Sequence, residues 1–205
     1  MRLDAIRPED IEKKSFEIIT ELLGDMVLDP INEPVIMRCI HTSADLEYAR
    51  GLCFSDNAVL LLKKALREGC RLVTDTRMAW AGINKRQAAN WNVEVLCFMD
   101  DEDVAAEARA RGVTRAAVCM EKAMRLEGPI LFAVGNAPTA LLALSEAMEG
   151  RGYRPAGIIG VPVGFVNVVE SKELIMGGPA PYIVSRGRKG GSNIAAAICN
   201  ALLKQ

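Results

Sequence analysis

Apolar and polar positions along this chain follow two rhythms. Five short, nearly continuous apolar runs, VIMRCI (35–40), RLVTD (71–75), VEVLCFM (93–99), ILFAV (130–134) and GIIGV (157–161), read as buried β-strands. Between them apolar residues recur at helical spacing over about 55–68, 102–111, 115–126 and 138–149. A leading helix is predicted over about 8–23, with Pro8 suited to its first turn, and a last one over about 191–204. Residues 151–191 are rich in glycine and proline but still carry apolar runs, and they read as long ordered loops. Loops of that length in a compact domain are usually functional.

Alternation of buried strands with helices predicts an α/β domain of three layers, a parallel sheet covered on both faces. Five such strands suit a doubly wound, flavodoxin-like sheet of order 2-1-3-4-5. At 205 residues a single domain over 1–205 is expected. A net charge of −1 argues against a nucleic-acid or membrane-surface partner, and no apolar run approaches the length of a spanning helix. The opening MRLDAIRPEDIEKK carries too many acids for a secretory or transit signal, so a cytoplasmic location is expected.

Six scattered cysteines form no CxxC pair, and His41 is the only histidine, so no zinc or iron–sulfur ligand set is present and no metal site is expected. In open α/β sheets ligands bind beyond the carboxyl ends of the strands, where the strand order reverses. His41 directly follows the run 35–40 and would stand at that reversal if this run were the first strand. It can be read as an acid/base, because an imidazole titrates near neutrality, or as packing.

TDTRMAWAGIN, DDED, GNAPT and PVGFVNVVESKE, which follow the other four runs, are expected to fall on the same edge. GNAPT (135–139) opens a helix at Gly135 and Asn136: ordinary capping explains it, and the free amides could instead bind an anion. SRGRKGGSN (185–193) sets Arg186, Arg188 and Lys189 among Gly187, Gly190 and Gly191, ahead of Ser192 and Asn193; it is either a solvated basic loop or a carboxylate site. No P-loop or GxGxxG is present, which argues against nucleotide chemistry, and the acids of DDED (100–103) suit a helix start without further chemistry.

Taken together, RCIHTSADLEYA, TDTRMAWAGI, VGNAPTAL, GVPVGFVNVVESKE and GRKGGSNIAAAICNAL resemble the precorrin-8X methylmutase family in order and spacing, from about Ser15 to Leu202. The resemblance implies an isomerase of cobalamin biosynthesis, acting on precorrin-8 or cobalt-precorrin-8 as a homodimer with interface active sites. It implies migration of the C-11 methyl to C-12, with no cofactor because the methyl never leaves the substrate. By match to the family's motif His41 is the catalytic residue, protonating or hydrogen-bonding the ring. By position in the family's motifs Ser15, Thr76, Arg77, Arg115, Arg188, Lys189, Gly190, Gly191, Ser192 and Asn193 are the candidate contacts. The implied substrate's carboxylates call for cations and helix starts, which favours the basic segment and adds Gly135 and Asn136 of the GNAPT turn. Trp80 and the charged MEKAMRLEG (120–128) depart from what the family leads one to expect. A tetrapyrrole carrier without catalysis is the alternative, distinguished by whether His41 matters to turnover. A methyltransferase using S-adenosylmethionine would want glycines where IHTSAD stands, and a flavin protein has fold analogy alone to support it.

Overall fold

The computed structural model describes residue 7 and residues 10–204, so Pro8 lies outside the described residues. The first elements are α1 (Ile11–Leu23), α2 (Glu33–Ser43), α3 (Tyr48–Gly51), β1 (Leu52–Phe54) and α4 (Ala58–Arg67). Next come β2 (Arg71–Thr74), α5 (Arg77–Gly82), α6 (Lys85–Asn90), β3 (Val95–Leu96), α7 (Glu102–Arg111) and α8 (Arg115–Ala123). The chain finishes with β4 (Ile130–Val134), α9 (Pro138–Arg151), β5 (Gly157–Gly160), α10 (Val168–Gly177), β6 (Tyr182–Ser185) and α11 (Ser192–Leu203).

One six-stranded sheet results, in the order β1-β6-β5-β4-β2-β3. Strands β2 to β6 pair in parallel, and β1 closes the edge antiparallel to β6. Side chains alternate between the two faces as strand geometry requires. Leu72, Leu131, Ala133, Ile159 and Ile183 join a core built with α1, α2, α4, α5, α6 and α11. Val73, Phe132, Val134, Ile158 and Val184 join a second core under α7, α8, α9 and α10. No described helix is long and apolar enough to cross a membrane.

The expected first strand is a helix. VIMRCI lies within α2, started by Pro34 in its first turn and ended by Ala44 in the left-handed conformation. Val35, Ile36, Met37, Cys39 and Ile40 are all buried, because α2 is wedged between α1 and the sheet-covering α11. An element apolar on nearly all sides has no legible period, and a short run of this kind fits a strand or a core helix equally. The expected order 2-1-3-4-5, with residues 35–40 as strand 1, is therefore corrected to a mixed six-stranded sheet. Residues 151–191 are likewise not only loop, since they hold β5, α10 and β6.

The order does reverse, beside β2. The chain leaves β2 into α5 on one face and leaves β4 into α9 on the other. The crevice of the sheet thus lies between Asp75–Thr76 and Gly135–Asn136, at the carboxyl ends of two adjacent parallel strands.

Candidate functional site

The buried carboxylate of Asp75 crosses this crevice. It accepts the backbone N–H groups of Gly135 (2.8 Å), Asn136 (2.8 Å) and Ala137 (2.7 Å). Burial holds the pKa of this carboxyl above its ordinary range, and the three amides offset only part of that rise. The amides that GNAPT offered to an anion are thus committed within the chain, and of the expected pair it is the exposed side chain of Asn136 that remains to face a ligand.

Thr76 caps α5 by accepting from the Ala79 amide at 3.1 Å, and its hydroxyl meets that of Ser192 at 2.8 Å. Helix α11 therefore begins directly against the ends of β2 and β4. Gly135 permits this approach, since a Cβ there would lie 2.6 Å from the Ser192 Cα. Gly190 and Gly191 turn the chain at φ 158° and 138°, a region open to glycine, and the Gly191 amide donates to Val161 at 2.8 Å. Five expected residues, Thr76, Gly135, Gly190, Gly191 and Ser192, thus pack together at one strand edge, with Asn193 exposed in the first turn of α11.

The expected cations divide. Arg77 is exposed, pairs with Asp100 at 3.1 Å and lies over the Trp80 ring at 4.1 Å. That ring is fixed by its own N–H bond to Val95 at 2.8 Å. Arg188 is exposed above Phe165, 6.0 Å from its ring centre. Arg115 is exposed at the start of α8, whose capping Thr114 meets Thr139 in the first turn of α9 at 2.7 Å. Lys189 instead pairs with Asp45 at 2.5 Å and Glu47 at 2.8 Å, which together raise its pKa.

His41 does not follow a strand: it stands in the last turn of α2. Its half-buried ring meets Phe16 edge-on, with centroids 5.4 Å apart and planes at 71°. It opens onto an apolar pocket of about 310 Å³ that it shares with Ser15, Ile18, Leu22, Ala44 and Leu46. Ser15 donates its hydroxyl to the Ile11 carbonyl at 2.8 Å. His41 and Ser15 thus belong together in one neighbourhood, and the crevice residues form another. Lys189, through Asp45 and Glu47, ties the crevice loop to the segment that follows His41.

Three features escaped the sequence reading. Asp75 ends an apolar strand opposite a turn rich in free amides, and that pairing was its only signal. Lys172 is fully buried beneath the 186–191 loop. Phe165 and Val166, 84% and 78% exposed in the loop after β5, add apolar surface to the crevice edge, as does Met78 at 71% on α5. Apolar side chains left in water at a strand-end crevice are available to contact an apolar part of a ligand.

Fold and site define an α/β protein with a strand-end crevice that carries exposed guanidinium groups and apolar side chains. The family model described as precorrin-8X methylmutase (CbiC) matches residues 10–205. The cobalt-precorrin-8 methylmutase of Priestia megaterium is 40% identical over 96% of this chain and 88% of its own length. The Salmonella typhimurium cobalt-precorrin-8 methylmutase is 42% identical over 96% and 95%. The precorrin-8X methylmutase of Pseudomonas aeruginosa is 39% identical over 83% and 82%. Among solved structures, precorrin-8X methylmutase from Thermus thermophilus superposes with a TM-score of 0.85 at 40% identity, covering 95% of this chain and 96% of that one. The chain belongs to the precorrin-8X methylmutase family, a family of enzymes.

Proposed function

We propose that this protein isomerises precorrin-8 or cobalt-precorrin-8 by moving the C-11 methyl to C-12, giving hydrogenobyrinic or cobyrinic acid. Family membership supports the reaction class. The observation that carries the residue assignment is the half-buried His41 beside Ser15 at an open apolar pocket. An imidazole so placed acts as general acid or hydrogen-bond donor to a ring nitrogen. It draws electron density from the conjugated system and lowers the barrier to migration, an effect typically of about 10²–10⁴-fold. Thr76, Asn136, Asn193 and the exposed Arg77, Arg115 and Arg188 hold the fringe of carboxylates, and the apolar surface fixes the ring in one conformation. The methyl stays on the substrate, so no methyl donor takes part.

The active unit in this reading is a homodimer with the site at its interface. Helix α1 supports this: it leaves Ile11, Ile18 and Leu22 exposed beside the His41 pocket. A second copy covering that stripe is the dimer contact of this reading.

Precorrin-8 carrying ¹³C in its C-11 methyl tests the reaction. Purified protein without S-adenosylmethionine should yield a product whose label resonates as a methyl on C-12. A label unmoved after stoichiometric binding would leave a carrier as the correct reading.

A further inference from the structure

Lys172 is fully buried, on the inward side of α10 with Val168, Ser171 and Ile175. Its Nζ donates to two main-chain carbonyls, those of Gly187 and Lys189, both at 2.8 Å. The Ser185 hydroxyl donates to the same Lys189 carbonyl at 2.7 Å. The adjacent charges point elsewhere: Glu173 pairs with Arg186 at 3.3 Å, and Lys189 with Asp45 and Glu47. Burial alone pushes the Lys172 pKa down, to about 8.

An ammonium withdrawn from water and given only carbonyls stabilises a fold poorly; an apolar side chain of the same length often does as well or better. What the ammonium supplies is direction. Two carbonyls two residues apart, aimed at one point, repel each other unless a cation sits between them. With both turned inward, the residue between them, Arg188, is left facing solvent at the crevice. Gly187 makes the turn at φ 76°.

We propose that Lys172 is a positioning residue, gathering the carbonyls of Gly187 and Lys189 so that the 186–191 loop presents Arg188 at the crevice. The consequence for the substrate rests on the reading above, in which this loop holds its carboxylates.

The test uses Lys172→Met in the full chain with three readouts. Tryptic cleavage after Arg186, Arg188 and Lys189 reports the loop without substrate, and should quicken about tenfold while cleavage elsewhere is unchanged. Absorbance titration with precorrin-8 should show affinity weakened about tenfold, because the loop must now be ordered on binding. The single-turnover rate at saturating substrate should stay within about twofold, since a loop that only positions acts on binding. Lys172→Arg, which keeps a cation with several donors, should recover part of the affinity. Ser185→Ala, which removes one bond to the Lys189 carbonyl, should shift both loop and affinity in the same direction by less, and it serves if the methionine variant does not fold. Unchanged loop cleavage overturns the proposal, as does a lost saturating rate with unchanged affinity. A loosened loop with unchanged affinity keeps Lys172 as its organiser and overturns the carboxylate-binding reading of the loop.

Discussion

The Nζ of Lys189 lies 2.5 Å from the Asp45 carboxylate, four residues beyond His41 in the chain. The loop that follows β6 is thereby tied to the segment that ends α2. Glu47 adds a second carboxylate at 2.8 Å, so the charge of Lys189 is neutralised within the chain. Arg115 and Arg188 are then the expected cations left to meet a ligand's carboxylates, with Arg77 shared with the exposed Asp100.

Asp45→Asn and Lys189→Met should therefore weaken substrate binding to similar extents, and the double variant should be little worse than either. Coupled groups give such non-additivity, here about threefold to tenfold in affinity for each single change. Melting temperature should move little, because both side chains reach water. Titration of all three variants with precorrin-8 measures this; strictly multiplicative losses would mean that Lys189 contacts the substrate itself.

Gly135 sets how closely α11 approaches β4. In Gly135→Ala the added methyl would lie 2.6 Å from the Ser192 backbone, which has no flexible end to give way. Overpacking of this kind destabilises by about 1–3 kcal/mol. Urea unfolding should show that loss, and the Thr76–Ser192 contact should open with it.

Acid should loosen the wall that carries Ser15. Hydrogen bonds from Arg38 and Lys204 hold the Glu12 carboxyl of α1 down to about 2, from an ordinary 4.5. The unfolded chain takes up that proton first, so this contribution is complete above about pH 4.5 and is lost as pH falls toward 2. Its size is about 1 kcal/mol or less, because the Glu12 side chain is 46% exposed and screened by water. Glu12→Gln should unfold at lower urea than the unaltered chain at pH 7, and the gap should close as pH is lowered through that window.

Much of the α/β alternation was legible because most elements bury one face only or lie wholly inside. Residues 130–134 and 102–111 are a strand and a helix with the expected bounds. The reading failed where tertiary position overrides pattern. Residues 35–40 are apolar because α2 is enclosed, not because it is a strand. Helix α10 escaped notice because two of its four buried residues, Ser171 and Lys172, are polar. Strand β1 spans three residues and depends on pairing with β6, from Leu52 opposite Ser185 to Phe54 opposite Ile183, a partner so distant in the chain that no local signal reveals it. For the site, the motifs did mark the residues that converge on the crevice, Thr76, Gly135 and Gly190 to Asn193. They could not show that Asp75 occupies the amides of the GNAPT turn, since that contact exists only once β2 and β4 lie side by side.

The central claim is that His41 acts on the ring. Single-turnover absorbance spectroscopy of the unaltered protein and His41→Ala, with precorrin-8 and with its cobalt form, tests it most directly. Methyl migration changes the ring's conjugation, so binding and conversion are read separately. The unaltered chain should bind and convert, and His41→Ala should bind with similar affinity and convert about 10²–10⁴-fold more slowly. Conversion by His41→Ala at the unaltered rate would contradict the assignment and leave His41 a packing residue of the α1–α2 contact.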